Sequence, residues 1–233
     1  MKQYLILSLL FIFAIKINAQ NQEEAIILEN NTFIYKKPNQ SSCRIYTLDK
    51  YDILLINESD EINSDYLFVE ILKNKLSKIS KKVPNFNKHE DFYTYGFIQK
   101  QKVTLLDSLQ KYQANDIGLE FEVVKADTTL IINEDNMRYG LEIPLSMSFT
   151  VCEMSLIWKG KKIIQDKSIF DDLFNISFTP GIYTSIESNK NFENYFLDDY
   201  HYIKQQCGDG AGYYEITWKI KDGKIISRHI DTI

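Results

Sequence analysis

The sequence predicts a mostly β protein, α+β overall, built from two modules, and three observations support this. Short apolar, β-branched and aromatic runs recur between turn residues from Ala25 to about Leu106, which is typical of a compact all-β unit. A second series of such runs fills residues 117–233 and ends in a hairpin at Asp222-Gly223. Helical spacing is confined to short segments. We therefore expect an all-β module at residues 24–106, a short connecting helix or linker at 107–116, and a β-rich domain with one or two short helices at 117–233.

Residues 1–19 are predicted to be a cleaved signal peptide. Lys2 gives a basic start, Leu5 to Ile15 is almost wholly apolar, and Ile17-Asn18-Ala19 fits a cleavage site. The apolar run is short for a membrane span, and Lys16 interrupts it. We expect a secreted or periplasmic protein without stable membrane insertion once the signal is removed.

Charge and composition narrow the classes of partner. The chain has 27 lysine and arginine residues against 32 aspartate and glutamate residues, a formal net charge of −5. Without a basic stripe, nucleic acid is not an expected partner. The one locally basic stretch, Lys73 to Lys88, is interpreted as a solvated loop, the alternative being contact with an anionic envelope polymer.

Cysteine and histidine are sparse. The three cysteines allow one disulfide or none; if one forms, Cys152 with Cys207 is the preferred pair. No CxxC motif occurs and the three histidines are scattered, so neither a metal site nor a cofactor is predicted.

Four segments occur in a recognisable order in the first module. They read TFIYKKPNQSS, RIYTLDKYDILLI, YLFVEI and YGFIQKQKV. In this order they resemble a bacterial SH3-like domain, with a strand reaching a Pro-Ser loop, a strand ending before Lys-Gly, a hydrophobic strand, an aromatic-Val strand and a closing Gly-Trp-Val. The chain departs from that pattern at Tyr51, where the family has glycine, at Phe97, where it has tryptophan, and by an insert at about residues 73–93. The arginine that the family carries after its first strand is Lys36 or missing.

The resemblance implies a small SH3-like β-barrel over residues 24–106. It also implies use mostly in binding, often to cell-wall peptides or to a partner domain. Tyr93, Tyr95 and Phe97 alternate along the closing strand, so one of its faces can stack on a sugar or a peptide side chain. The other interpretation of these aromatic residues is barrel core and rim.

Two segments have helical spacing. Leu105, Leu106, Leu109 and Tyr112 predict a short helix within Val103 to Gln113 that joins the modules. Asp166 to Phe174 predicts a second short helix, capped by Asp166 or Ser168.

The closing hairpin has a predicted register. With Asp222-Gly223 as a type I′ loop, the pairs are Lys221 with Lys224, Ile220 with Ile225, Trp218 with Ser227, and Ile216 with His229. The predicted buried face consists of Tyr214, Ile216, Trp218, Ile220 and Ile225. The predicted exposed face consists of Tyr213, Glu215, Thr217, Lys219 and Arg228, with Glu215 and Arg228 as a possible ion pair.

The segment before this hairpin suggests two kinds of site. A thiol nucleophile at Cys207 needs His201 or His229 as its base, yet the Asp-Cys-Ser-Gly signature of wall peptidases is absent and Cys207 enters a strand rather than a helix. Backbone N–H groups of a glycine turn can cradle an anion, but no nucleotide fingerprint follows. We therefore interpret Gly208, Asp209, Gly210 and Gly212, like Asp222 and Gly223, as structural turn residues.

The functional expectation is an exported, non-catalytic binding protein of the bacterial cell envelope. Its expected partner is peptidoglycan peptide or another exported protein. The alternatives are a cysteine hydrolase acting on wall peptides and an inhibitor or immunity-type protein for a secreted enzyme. The sequence leaves the oligomeric state open.

Overall fold

The N-terminal module is one seven-stranded antiparallel sheet. The computed structural model describes residues 22–57, 65–72, 93–127, 147–177, 180–185, 192–208 and 213–232. The strands of this sheet are β1 (Gln22–Ile27), β2 (Thr32–Tyr35), β3 (Arg44–Leu48), β4 (Ile53–Asn57), β5 (Tyr66–Leu72), β6 (Tyr93–Gln99) and β7 (Val103–Leu105). Their order is β3-β2-β6-β5-β4-β1-β7. The predicted signal peptide and most of the predicted insert lie outside the described residues.

This sheet curls around its own core but does not close. Buried residues of six strands meet in one cluster, and β7 adds Val103 and Leu105 at its margin. The edge strands β3 and β7 are not paired with each other, so the described residues form an open sheet and not the β-barrel that the resemblance implies. β7 is only three residues long, and the residue after it, Leu106, packs against the next sheet.

A close crossing of β2 over β6 shapes the sheet. Tyr35 and Phe97 are the one described pair between these strands, and a bulge follows Ile34 in the pairing of β2 with β3. A Cβ atom at Gly96 would lie 2.5 Å from Ile34 Cγ2 and 2.8 Å from the Tyr35 carbonyl oxygen. Glycine is therefore required at position 96, because any side chain would force the two backbones apart.

Two further antiparallel sheets form the rest of the described structure. The strands are β8 (Gln110–Lys111), β9 (Ile117–Lys125), β10 (Phe149–Trp158), β11 (Lys161–Ile164), β12 (Gly181–Thr184), β13 (Phe192–Leu197), β14 (Tyr200–Cys207), β15 (Tyr214–Lys221) and β16 (Lys224–Thr232). The middle sheet has the order β16-β15-β14-β13-β8, and the outer sheet has the order β11-β10-β9-β12. The prediction of a mostly β fold is confirmed.

The middle sheet is covered on both faces. Ile203, Trp218 and Ile220 pack in one core with Leu119 and other residues of the outer sheet. On the opposite face, Tyr195 and Tyr202 pack with Ile26 and Leu106 of the N-terminal module. The two predicted modules therefore share an interface, and the residues that the structure describes form three layers.

The two predicted helices are short 3-10 turns instead. The segment predicted as a connecting helix forms β7, a 3-10 turn at Leu106–Ser108, and β8. Strand pairing to β1 and β13 at the edges of two sheets outweighs the helical spacing. The second segment is a 3-10 turn at Lys167–Ile169, and Asp166 caps it as predicted by accepting a hydrogen bond from the Ser168 amide at 2.9 Å.

The closing hairpin confirms the predicted turn and part of the register. Asp222 and Gly223 have φ angles of 49° and 74°, as a type I′ loop requires, and Lys221 pairs with Lys224. A bulge at Ile226 then shifts β16 by one residue, so that Trp218 lies opposite Arg228. The predicted pairs of Trp218 with Ser227 and Ile216 with His229 are wrong, because the extra residue turns every later side chain of β16 to the other face.

The predicted exposed face of this hairpin is also wrong in three places. Thr217 and Lys219 are buried because the N-terminal module covers that side of β15. Arg228 is buried because the bulge points it towards the outer sheet, where its Nη1 donates to the Ile169 carbonyl at 2.7 Å and its Nη2 contacts Asp172. It therefore does not pair with Glu215.

Within the part of the chain that the structure describes, no helix has the length and apolar character needed to cross a membrane.

Candidate functional site

The outer side of the N-terminal sheet carries a group of aromatic side chains, which we call the aromatic face. It is formed by Phe33, Tyr35, Tyr66, Phe68, Tyr95 and Phe97. Strand register explains the grouping: Phe97 lies opposite both Tyr35 on β2 and Phe68 on β5. Because side chains alternate along a strand, the residues between them, such as Val69 and Ile98, point to the core instead.

The rings of the aromatic face pack in two groups of three, which meet where Tyr35 pairs with Phe97. Phe68 stacks on Tyr95 with ring centroids 6.1 Å apart and packs against Phe97 at 5.3 Å. Tyr35 meets Tyr66 edge to face at 6.3 Å. Tyr35 and Tyr66 are buried, whereas Tyr95 is 45% exposed. The buried rings therefore hold the neighbouring strands together, and the exposed rings present apolar area to solvent.

A polar groove of about 620 Å³ opens at one end of this face. One wall is the loop from Pro38 to Gln40, and Tyr66, Gln99 and Lys100 belong to the other. Burial raises the pKa of Tyr66, and the nearby Tyr35 and Asp65 raise it further. A hydrogen bond with Gln99 lowers this pKa but does not outweigh them, so the Tyr66 hydroxyl stays protonated. A hydroxyl and several amide side chains supply both donors and acceptors, which suits a ligand with peptide groups.

The sequence identified part of this surface. The structure places Tyr95 and Phe97 on the aromatic face, and Tyr93 begins the same strand. The sequence interpretation missed Phe33, Tyr35, Tyr66 and Phe68. Their alternation in TFIY and YLF was visible, but the adjacency of β2, β6 and β5 was not.

The predicted thiol site is not assembled. Cys207 is 1% exposed in the core between the middle and outer sheets. Burial raises the pKa of its thiol far above the usual range, although a hydrogen bond with Tyr214 opposes this. His201 lies six residues away along the same strand, roughly 20 Å at the usual rise per residue. His229 is on the opposite face of the sheet, so neither imidazole can take the thiol proton.

His201 is a packed ring at the end of β14. It lies edge-on to Tyr112 at 4.6 Å and to Trp158 at 5.7 Å, and its Nδ1 has no hydrogen-bond partner within the described structure. Burial lowers the pKa of His201, although Asp116 opposes this, so the ring is neutral near pH 7.

His229 belongs to a buried polar cluster between the N-terminal and middle sheets, which we call the inter-sheet cluster. Its Nδ1 lies 3.1 Å from Glu24 Oε1, and Thr217 Oγ1 donates to Glu24 Oε2 at 2.6 Å. Lys204 Nζ lies 3.6 Å from Glu24 and 3.2 Å from Glu215. Burial opposes ionisation of Glu24, but His229, Lys204 and Thr217 outweigh it and hold the pKa of Glu24 below its usual value. The cluster joins the layers through a charged, buried contact.

The glycine turn and the cysteines have structural positions. Gly208 has a φ of 72°, and its amide donates to the Asn175 carbonyl at 3.0 Å. Asp209, Gly210 and Gly212 lie outside the described residues. All three cysteines are free, and Cys152 is exposed on a bulge of β10 while Cys207 is buried. Of the two possibilities that the sequence left open, one disulfide or none, the structure has none, and Cys152 is not bridged to Cys207.

Among the residues that the structure covers, no group of three or more histidine, cysteine, aspartate or glutamate side chains is arranged to hold a metal ion. Comparisons of the chain with protein-family models, with curated proteins and with solved structures found no match.

Proposed function

We propose that this chain is an exported, non-catalytic binding protein of the bacterial cell envelope. It binds a peptide, from peptidoglycan or from another exported protein, on the aromatic face and in the adjoining groove. The observation that carries this proposal is the grouping of six aromatic rings on three neighbouring strands, with Tyr95 almost half exposed and a polar groove at the end of the face where Tyr66 lies. Exposed aromatic surface next to polar groups is typical of interaction sites, where Tyr and Phe supply much of the contact energy.

We also propose that the N-terminal sheet is an opened SH3-like domain. Its strands share one core, and Tyr51 has a φ of 71° at the position where the resembled family has glycine. A left-handed tyrosine is strained and needs compensating contacts. Its ring stacks on Tyr200 at 4.1 Å, and its hydroxyl donates to Asp198, so contacts with the middle sheet support the strained residue.

The buried cysteine supports a binding rather than a hydrolytic function. A cysteine hydrolase needs a thiolate that a substrate can reach. Cys207 is enclosed in the core and its thiol stays protonated. A non-catalytic function requires neither property.

The proposal is tested with soluble peptides released from purified peptidoglycan. Tyr95→Ala should weaken binding by about fivefold to thirtyfold, the effect of removing one aromatic contact of roughly 1–2 kcal/mol. Ile182→Ala is the matched control, since Ile182 is also exposed but lies on the outer sheet. Binding is measured by calorimetry with the mature chain. Equal affinities of the wild type and Tyr95→Ala would refute the proposal. It would also be refuted if neither the wild type nor the variant bound wall peptides or envelope proteins.

A further inference from the structure

Only some of the positively charged side chains of the N-terminal sheet form ion pairs. The described residues 22–57, 65–72 and 93–105 contain six lysine and arginine residues. Lys50 pairs with Asp198 at 3.1 Å, and Lys102 pairs with Glu29. The remaining four, Lys36, Lys37, Arg44 and Lys100, make no ion pair with a described residue.

These four cations lie in, or next to, the segments that form the groove and the adjoining end of the aromatic face. Lys100 lines the groove, and Lys36 and Lys37 lead into the loop that forms its opposite wall. The Lys36 amide donates to the Cys43 carbonyl at 2.9 Å, which closes that loop. Arg44 follows directly and lies opposite Tyr35. A chain with a net charge of −5 thus has a local excess of positive charge at its candidate binding site.

Arg44 is positioned to recognise a carboxylate. Its guanidinium carbon lies 3.8 Å from the centre of the Phe33 ring. Stacking on an aromatic ring restricts the guanidinium plane while leaving its N–H groups free, and that planar fork matches a carboxylate in two parallel hydrogen bonds. Among the described residues that line the groove, Lys100 is the one cation and Asp65 the one carboxylate, so the surplus of positive charge comes from Lys36, Lys37 and Arg44 next to the groove.

We infer that the ligand is a short acidic peptide. Its carboxylates are bound by Arg44, Lys100 and the Lys36-Lys37 pair, and its apolar side chains pack on the aromatic face. This inference rests on the proposed binding function and specifies the ligand's chemistry. The groove amides Asn39, Gln40 and Gln99 can donate to and accept from peptide groups. A long polyanion offers no such donors and would also meet the overall negative charge of the chain.

Two pools of fluorescent octapeptides test the inference. Five positions are randomised over neutral residues including Tyr, Phe and Leu, and the other three are glutamate in one pool and glutamine in the other. We expect the immobilised mature protein to retain the glutamate pool at least about tenfold more strongly. This preference should fall when NaCl is raised from about 0.05 to 0.5 M, because salt screens exposed charges.

Variants locate the charge that is responsible. Lys100→Gln and the double change Lys36→Gln/Lys37→Gln should each reduce retention of the glutamate pool by about threefold to tenfold, the range of a charge-assisted contact. Lys161→Gln is the control, because Lys161 is also exposed but lies on β11 of the outer sheet. Retention of the glutamine pool should change little in all three.

The outcomes separate this inference from the proposed function. Equal retention of the two pools, or retention of neither, overturns the acidic-peptide inference. In that case the proposed binding function still stands if wall peptides bind and Tyr95→Ala weakens their binding. Polyphosphate that displaces the glutamate pool at equal charge concentration also overturns the inference, since charge alone would then explain binding. If wall peptides, envelope proteins and both pools all fail to bind, the proposed function fails as well.

Discussion

Replacing Gly96 by alanine should disturb both the stability of the N-terminal sheet and its binding surface. The added methyl group would lie 2.5 Å from Ile34 Cγ2, 2.8 Å from Ile45 Cδ1 and 2.8 Å from the Tyr35 carbonyl oxygen. Carbon atoms normally approach to about 3.5–4.0 Å, so each neighbour must move. The Ile45 side chain is partly exposed and can turn aside, but the carbonyl is backbone. β2 must therefore shift away from β6.

The expected cost follows from this overpacking. Forcing a methyl group into a packed site typically costs about 1–3 kcal/mol, and a backbone obstacle favours the upper half of that range. At about 2–3 kcal/mol, Tm should fall by roughly 4–12 °C for a chain of this size. Ile45→Val removes the Cδ1 atom and should recover part of the loss in the double variant. The carbonyl contact remains, so recovery is incomplete.

A second glycine provides the control. Gly160 has a φ of 74° and would meet nothing within 4 Å of an added Cβ, so Gly160→Ala adds backbone strain of about 1 kcal/mol without a clash. Urea unfolding gives the free energies, and calorimetry with wall peptides gives the affinities. We expect Gly96→Ala to weaken binding and Gly160→Ala to leave it unchanged. A Gly96→Ala variant within 0.5 kcal/mol of the wild type, or one that is destabilised but binds normally, would contradict this.

Two further changes test the interfaces of the middle sheet. Trp218→Ala should lower the free energy of unfolding by about 3–5 kcal/mol, because the indole is fully buried against Phe121; an unchanged Tm would show that Trp218 is not part of the core. Glu24→Gln should cost about 3 kcal/mol at pH 7, because His229 loses its buried carboxylate partner and Lys204 keeps only Glu215. The folded-state pKa of Glu24 is lowered, so its contribution is present above the ordinary value of about 4.3 and lost as pH falls through the lower folded value. Urea unfolding should show the two proteins converging below about pH 4; a difference that stays constant as the pH falls well below about 4 would exclude this linkage.

The hairpin shows where local sequence is sufficient and where it is not. Asp222-Gly223 determines its own turn because positive φ angles at both positions are a local property. The bulge at Ile226 is not local. It allows Arg228 to reach Asp172 and His229 to reach Glu24, and those partners are 56 and 205 residues away. Spacing within β16 does not contain that information.

Burial on both faces of the middle sheet also depends on partners that are distant in the sequence. Lys219 was predicted to be exposed because strands of small domains usually alternate between core and solvent. Its ammonium group instead lies 3.3 Å from Asp52, which the N-terminal module supplies. Distant strand partners also determine the structure of Val103 to Gln113. Its spacing predicts a helix, but pairing with β1 and β13 makes it form strands.

The candidate site was half visible in the sequence. Tyr95 and Phe97 share one strand, so alternation alone placed them together. Phe33 and Phe68 join them only through the order β2-β6-β5. The cations at the groove were also indistinguishable from other surface lysines until the ion pairs of Lys50 and Lys102 were known.

The most direct test of the aromatic face is to map where wall peptides bind. Backbone amide shifts of a labelled chain of residues 20–233 are recorded by NMR during titration with soluble peptides from purified peptidoglycan. Shifts confined to β2, β5, β6 and the loop from Pro38 to Gln40, with the largest near Tyr95 and Gln99, are the expected result. Two results would contradict the aromatic face as the binding site. One is a set of shifts centred on the outer sheet. The other is the absence of shifts at saturating peptide together with equal binding by Tyr95→Ala and the wild type.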